Sequence, residues 1–464
     1  MKLFENQSLS NDPIHGYIPF TAAAGLPPGE VAEQQVIDHP WVQRLRHIHQ
    51  LQTAWWVFPS AEHTRFQHVL GAMHLASRAV AALYESLAEV ASDLPSRAYV
   101  ESLVRLAALL HDVGHGPFGH FFDAHFLKDY GLTHETLGGA IIRSELADLI
   151  RGVRTNPSGR LHPDETLDPE QITYLITRPG AAEGEAPQWL RYLRALFSGL
   201  YTVDNMDFVL RDAYMAGYSA RAFDLARLLH YSFYSPKGLT IHERGLSALV
   251  RFLAVRAELF RAIYFHRTVR AIDLSLQEVF AESKHLLFPG NPLERLDEYL
   301  HFTEWSVLVR VGDWARGSDP KTRRLGERWQ SVLRREVRWK MACERTIFFR
   351  PGEAERGSVF SNARALEHAV REVLPAELRE LPLKVDTARH VHRPGAHTPT
   401  AGQNFLYDPA SSRIRNLDDR ELFRQLPVSC RVCRIYTEDT RHSAALAAAM
   451  DLLTGGQEDD VTNM

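Results

Sequence analysis

The sequence predicts a mainly α-helical chain with a smaller α+β region at its C-terminal end. Apolar residues recur at helical spacing from about Val31 to Ser144, through Trp189–Ala216, and from Leu246 to about Cys343. Nothing between Val31 and Cys343 repeats at a fixed period, which sets a solenoid aside. Near Thr346 the pattern changes to short apolar runs broken by turn residues, as strands require.

The first thirty residues read as irregular, with a turn at Asp12-Pro13-Ile14-His15-Gly16 and a break at Pro27-Pro28-Gly29. Val69–Leu87 is Ala-rich and apolar all round, the mark of a helix buried in a bundle. Val100, Leu103, Val104, Ala107 and Leu110 follow i, i+3, i+4, i+7 and i+10, one helix face. Gly152–Leu167 and Pro179–Pro187 read as loops around one short helix, Pro169–Ile176. Strands are expected at Thr346–Phe349, Leu383–Asp386, Asn404–Tyr407 and Ser429–Tyr436. A helix at about Arg441–Leu453 and a polar, disordered tail close the chain. The expected division is a helical domain over residues 1–345, its core at about 31–240, and an α+β region over 346–464.

At 464 residues, 45% hydrophobic and 24% charged, the composition is that of an ordinary globular protein. A net charge of −4 offers nucleic acid no attraction from the chain as a whole, only from a local basic groove. Three cysteines cannot build a disulfide framework, so a reducing cytoplasm is expected. Cys430 and Cys433 form a lone C-x-x-C inside an expected strand, where packing is the better reading than zinc or redox chemistry. The first residues lack the apolar run of a signal peptide, and no apolar run is long enough to span a membrane. No G-x-x-x-x-G-K-[ST] occurs, which excludes a P-loop enzyme.

Chemistry concentrates in His111-Asp112-Val113-Gly114-His115-Gly116-Pro117-Phe118-Gly119-His120. An apolar helix runs into an adjacent His-Asp pair and is stopped by glycines. Such a pair can offer one divalent ion an imidazole nitrogen and a carboxylate oxygen, with the remaining ligands drawn from elsewhere. Upstream, Arg65 and His68 stand three apart on one helix face, which suits a phosphate bound beside a metal. Downstream, Asp204, Asp207 and Arg211 fall at i, i+3 and i+7, with Asp212 at i+8. Taken alone, that segment reads as a salt-bridged helix surface.

Together these segments resemble the HD-domain superfamily of metal phosphohydrolases, whose signature is H…HD…D. Within it the chain is similar to the deoxynucleoside-triphosphate triphosphohydrolases of the sterile-alpha-motif and HD-domain type. The resemblance runs from Asp12 to about Leu453. It rests on Asp12–Gly16, Gln43–Arg46, Gln50-Leu51, Phe58-Pro59, Arg65-Phe66-x-His68, His111–His120, Thr133-His134-Glu135 and Asp204–Asp212, and more weakly on Arg431–Arg434. No sterile-alpha-motif domain is expected, there being no room for one before Asp12.

The resemblance implies a metal held by His68, His111, Asp112 and Asp204. Two imidazoles and two carboxylates suit Mn, Fe, Co, Ni or Zn, and Mg as well. Arg65 would grip a phosphate oxygen, His115 would lie against the triphosphate, and His120, Asp123 and His134 would form the acid–base group. A His held by a carboxylate can protonate the departing 5′-oxygen, and either His120 or His134 fits that role. Gln50 and Leu51 would contact the deoxyribose, Asp212 the 3′-hydroxyl, and Tyr264 the sugar and base. Asp38, Gln43 and Arg46 match an allosteric nucleotide site, implying a GTP or dNTP activator and a homo-oligomer, although a solvated helix face would look the same.

Three positions depart from the family's pattern. Asn205 replaces a phosphate-binding Lys, Phe208 a Tyr, and Phe265 a Gln. The expected reaction is cleavage of a deoxynucleoside triphosphate at its α-phosphate. Two alternatives stay open: hydrolysis of another nucleotide, monophosphate or phosphodiester, and a silent regulator that binds nucleotide or nucleic acid.

Overall fold

The computed structural model describes residues 6–177, 186–349, 358–391, 404–417 and 429–454. Most of the expected loop Pro179–Pro187 and the expected tail lie outside those residues. The chain forms two compact units that alternate along the sequence. The first takes Met1–Arg256, Lys284–Arg310 and Pro399–Asp419, the second Ala257–Ser283, Val311–Thr398 and Arg420–Met464. A single boundary near residue 345 is therefore corrected. Phe405–Asp408 pairs in parallel with Gly238–His242, which draws that strand into the first unit. Arg270 bonds both carboxylate oxygens of Asp386, at 3.1 and 2.5 Å, which keeps its helix in the second.

In the first unit the helices Arg65–Val90 and Arg97–Leu110 pack along each other, and Val203–Met215 lies against the first. Thr64 opens Arg65–Val90 by a capping box, its N–H donating to Gln67 Oε1 at 2.5 Å. Ser96 Oγ caps Arg97–Leu110 by accepting the Tyr99 N–H at 3.1 Å. Val100, Leu103, Val104, Ala107 and Leu110 are all buried, as the periodicity predicts.

The N-terminal residues are not irregular. Gln7–Asp12 and Gly16–Thr21 form an antiparallel hairpin. Asp12 Oδ1 accepts the N–H groups of Ile14 and His15, both at 2.9 Å, and Gly16 takes φ +76° to close the turn. The turn was legible, but neither strand alternates cleanly. The expected loop Gly152–Leu167 contains a small pairing of Thr155–Asn156 with Gly159–Arg160. Ser232–Ser235 and Gly238–His242 add a hairpin to the four-stranded sheet that includes Phe405–Asp408 and Arg413–Asn416.

The second unit holds a three-stranded antiparallel sheet with Ser429–Thr437 between Lys340–Phe349 and Leu383–Val391. Lys340–Cys343 is thus strand rather than the end of a helix, because it pairs along Ile435–Thr437. The amphipathic helix Ala363–Val373, unassigned from sequence, covers this sheet together with Ser443–Thr454. Leu366, Val370, Leu446 and Met450 share one buried cluster with Cys433 and Ile435. Cys343, Cys430 and Cys433 are free and buried, so the C-x-x-C serves packing.

A buried ion pair fixes the hairpin to the bundle. Arg105 donates to Glu33 at 2.6 and 2.8 Å, to Ser77 Oγ at 2.6 Å and to the Pro19 carbonyl at 3.0 Å. Breaking one partner of a buried pair costs about 3–5 kcal/mol, because the other charge is left uncompensated. Glu33→Gln should therefore lower the urea midpoint by that equivalent with an unchanged m-value. A shift equivalent to less than about 1 kcal/mol would show that the pair is not a main tie of the fold.

Candidate metal centre and active site

Three helices deliver the first cluster. His68 lies one turn into Arg65–Val90, His111 and Asp112 directly follow Arg97–Leu110, and Asp204 stands in the first turn of Val203–Met215. Donor atoms of His68, His111 and Asp112 all lie within 4.8 Å of one another. Asp204 Oδ1 joins them, 3.1 Å from His68 Nε2 and 3.7 Å from His111 Nε2.

The ring orientations decide what this cluster can hold. His68 Nδ1 donates to Asp207 Oδ2 at 2.8 Å, and His111 Nδ1 donates to the Ala108 carbonyl at 2.7 Å. A carboxylate and a carbonyl only accept, so both Nδ1 atoms carry a proton, and each ring in its neutral form points an Nε2 lone pair inward. Those two Nε2 atoms stand 3.2 Å apart, beside two carboxylates. Imidazoles held this way by a partner at the other ring nitrogen are the usual arrangement of metal-binding histidines. Burial opposes a charge on the His68 ring, but hydrogen bonds to Asp204 and Asp207 raise its pKa to about 10, so without an ion Nε2 holds a proton that a cation among these donors would displace. The four residues therefore fit a divalent ion, with nitrogen and oxygen donors as transition metals prefer.

Asp207 orients the site from behind. Fully buried, it accepts from His68, from His15 Nε2 at 2.7 Å, and from Arg211 Nε and an Arg211 terminal nitrogen, each at 2.9 Å. Arg211 also bonds Asp12 Oδ2 at 2.8 Å, so the hairpin turn belongs to the same network. A Cβ at Gly71 would stand 1.9 Å from Asp207 Oδ1, so this close helix approach requires glycine.

A second cluster lies alongside. Asp123 Oδ2 is the hub of three imidazoles, with Nδ1 of His134 at 2.6 Å, of His120 at 3.2 Å and of His115 at 3.8 Å. Burial raises the proton affinity of Asp123. The surrounding imidazoles of His115, His120 and His134 more than offset this and hold its carboxyl well below the usual carboxylate range. His115 stacks on His134 at 3.8 Å, with its Nε2 3.3 Å from Asp112 Oδ1. Burial first, then the charges of Arg65 and His134, keep His115 neutral. His120 is 70% exposed and forms the outer edge.

Arg65 donates to Asp112 Oδ2 at 2.7 Å while its Nε is buried without a partner among the described residues. His63 Nε2 lies 2.7 Å from Asp212 Oδ1, both buried. Gln50 Oε1, His63 Nδ1, Asp123 Oδ1 and both ring nitrogens of His115 are also buried without hydrogen-bond partners among the described residues. So many orphaned polar atoms in this unit mark where a ligand would supply the missing bonds. Leu51 is buried. A cleft of about 250 Å³ opens over Asp204 and Asn205, with Thr177, Gly199 and Thr202 in its lining.

Tyr264 belongs to the second unit, packed edge-on against Phe260 at 4.7 Å. Asp38 is exposed. Gln43 accepts from Arg46 at 2.8 Å, and Arg46 lies 3.6 Å over the Phe66 ring. The Gln43–Arg46 segment is not wholly a surface, however, because Arg44 is buried. Its guanidinium reaches the carbonyls of Val113 at 3.3 Å, His115 at 2.6 Å and Phe302 at 2.9 Å, clamping the turn that follows His111-Asp112. Glu304 supports the same turn by accepting the Phe118 N–H at 2.9 Å.

Sequence reasoning missed four of these supporting residues. Asp207 was visible on the face of Asp204, and His15 lay inside the Asp12–Gly16 turn. Glu304 gave no local signal. Neither did Arg256, whose pKa burial pushes down to about 10 against the opposing charge of Asp204.

This geometry, a His-Asp pair joined by another helix's His and a third helix's Asp, brings together the four residues that the H…HD…D resemblance singles out. Residues 65–175 match the HD domain family. The chain is similar to the deoxynucleoside triphosphate triphosphohydrolase SAMHD1 of Bos taurus, 30% identical over 62% of this chain and 49% of that protein. The Homo sapiens SAMHD1 is 29% identical over 60% of this chain and 45% of its own length. The chain thus spans about half the length of these curated relatives. An uncharacterised protein of Bacillus subtilis is 29% identical over 68% of this chain and 67% of its length. A hypothetical protein from Aquifex aeolicus has the same fold, with a TM-score of 0.67 at 22% identity over 96% of this chain and 100% of that one.

Asp207→Asn keeps the shape of the network but loses charge and places an amide against His68. Changes of this kind weaken metal affinity by about 10–100-fold. Competition with a chromophoric chelator should show that loss, and Asp112→Ala should show a larger one. Unchanged affinity in Asp207→Asn would mean that His68 orients itself without the carboxylate.

Proposed function

We propose that this chain hydrolyses a deoxynucleoside triphosphate at its α-phosphate, releasing deoxynucleoside and triphosphate. The observation that carries the reading is the convergence of the His68 and His111 lone pairs with Asp112 and Asp204, next to imidazoles hubbed on Asp123. A divalent ion held there (Mn, Fe, Co, Ni, Zn or Mg) supplies charge neutralisation and an acidified water. The relatives' name supports the substrate class.

The protein's own groups divide the remaining work. Arg65, held against Asp112, is poised to turn its unpartnered Nε toward a phosphate oxygen. Arg256 supplies a second, half-buried cation near Asp204, where Asn205 brings none. His115, neutral and with both ring nitrogens lacking hydrogen-bond partners among the described residues, can donate to the triphosphate. The proton for the departing 5′-oxygen comes from the Asp123 group, with His134 the more tightly held and His120 the more accessible. The Gln50 amide and Asp212 would read the deoxyribose and Leu51 would wall it. Packing of Tyr264 on sugar or base, activation by GTP or a second dNTP at Asp38, Gln43 and Arg46, and assembly into a homo-oligomer belong to the same reading and rest on the sequence resemblance.

Metal-loaded protein should convert at least one dNTP to deoxynucleoside and triphosphate, identified by mass, and EDTA should stop it. His134→Gln and His120→Gln should each be compared with wild type, and loss of the proton donor should lower kcat by about 10²–10⁴. Metal-bearing protein that turns over no dNTP, with or without GTP, but cleaves a monophosphate or phosphodiester would replace the substrate while keeping the site.

A further inference from the structure

A proton donor needs one imidazole and one carboxylate to hold it. The cluster around Asp123 holds more than that. Nδ1 atoms of His134, His120 and His115 stand 2.6, 3.2 and 3.8 Å from the same oxygen, Asp123 Oδ2. One ligand atom from each of these four residues lies within 4.8 Å of all the others. The rings crowd together too, with centroids 3.8 Å apart for His115 and His134 and 4.9 Å apart for His115 and His120. Local sequence makes this possible. His120 and Asp123 stand three apart on the helix His120–His125, and His134 opens the helix His134–Ser144. A Cβ at Gly114 would lie 2.1 Å from the His134 carbonyl, so glycine beside His115 permits the close approach.

Two of the four residues are left incomplete. His115 is fully buried, yet neither of its ring nitrogens has a hydrogen-bond partner among the described residues, and Asp123 Oδ1 is buried without one as well. Unsatisfied buried groups of this kind are costly and mark a missing ligand. Both residues are held in the forms that bind metal. Asp123 is ionised because the imidazoles more than offset its burial, and His115 is neutral because of burial and then Arg65. His120, at the solvent edge, leaves the cluster accessible.

We propose that His115, His120, His134 and Asp123 form a second cation site, which takes zinc and thereby switches hydrolysis off. Three imidazole nitrogens and one carboxylate oxygen make a four-coordinate donor set of the kind zinc takes, and its nitrogen content disfavours magnesium. This site is the weaker of the two. It offers one carboxylate where the first cluster offers two, and the charge of Arg65 acts on His115. The ion must also displace the Nδ1 protons that His134 and His120 donate to Asp123. It therefore fills only beyond one metal per chain. A ring bound to zinc through Nδ1 keeps only its Nε2 proton, and losing that would leave an imidazolate. Such a ring is a far weaker acid than an imidazolium, so the departing 5′-oxygen goes without its proton. The switching rests on the hydrolysis proposed above, whereas the binding does not.

The test titrates the full chain, stripped of metal, with zinc and in parallel with cobalt. Two equivalents should bind with separable affinities. Asp112→Ala should lose the first. Asp123→Asn should weaken the second by more than about 100-fold, beyond the loss typical of a partner outside the ligand set. His120→Gln should weaken the second as well, and its exposed ring can be removed without unfolding the chain. The strong visible absorption of four-coordinate cobalt should grow with the second equivalent in wild type and fail to do so in Asp123→Asn and His120→Gln. dNTP turnover, started by the first cobalt, should fall about 10²-fold as the second binds. A single equivalent, or a second one that both variants bind as well as wild type does, overturns the site. Turnover that survives the second equivalent overturns the switch. A chain that turns over no dNTP at any loading contradicts the proposed hydrolysis instead, while the metal counts and the cobalt spectrum still decide the site.

Discussion

A single buried carboxylate organises the candidate site of the first unit. Asp207 would be prohibitively costly to desolvate alone, and it stays ionised because two imidazoles and one guanidinium donate to it. Burial opposes that ionised form, but Arg211 and the hydrogen bonds from His15 and His68 hold the carboxyl well below the usual range. Each donor comes from a different place in the chain: the N-terminal hairpin, the Arg65–Val90 helix, and its own helix one turn on. The bond to His68 fixes the tautomer that turns Nε2 inward, and the bond to Arg211 reaches Asp12 and closes the hairpin turn. Folding of the first residues and orientation of a candidate metal ligand are thus one event.

The two clusters have opposite electrostatic characters. Asp112 and Asp204 surround the first with negative charge, which a positive centre must offset. In the second, one carboxylate faces three rings, and His115 stays neutral under the influence of burial and Arg65. Asp112 lies between the two clusters, with His111 Nε2 and His115 Nε2 3.4 and 3.3 Å from the same oxygen. Protonation changes in the second cluster would therefore be felt at the first over a few ångströms, a coupling that low local dielectric strengthens.

Much of this was legible because the relevant signals are local. The apolar spacing of Val100–Leu110 specifies a buried helix, and a buried helix that ends in His-Asp has to present those groups to something. His68, His111, Asp112 and Asp204 converge from helices whose existence the periodicity supplied. Other parts were hidden because they depend on pairings distant in sequence. Lys340–Cys343 reads as helix and becomes strand only through pairing with Ile435–Thr437. Phe405–Asp408 joins the first unit through Gly238–His242, which no local pattern announces. Arg44 and Glu304 likewise serve carbonyls and amides of a turn distant in sequence, and the charge of the Gln43–Arg46 stretch suggested surface where Arg44 is interior.

On this reading four side chains from three helices make one divalent metal centre. Anomalous diffraction from crystals of manganese- or zinc-loaded protein, collected across the metal edge, tests it most directly. A single strong peak within about 2.0–2.3 Å of donor atoms of His68, His111, Asp112 and Asp204 is the predicted result. A peak confined to the Asp123 cluster, or no peak in crystals of protein that carries one metal per chain in solution, would contradict it.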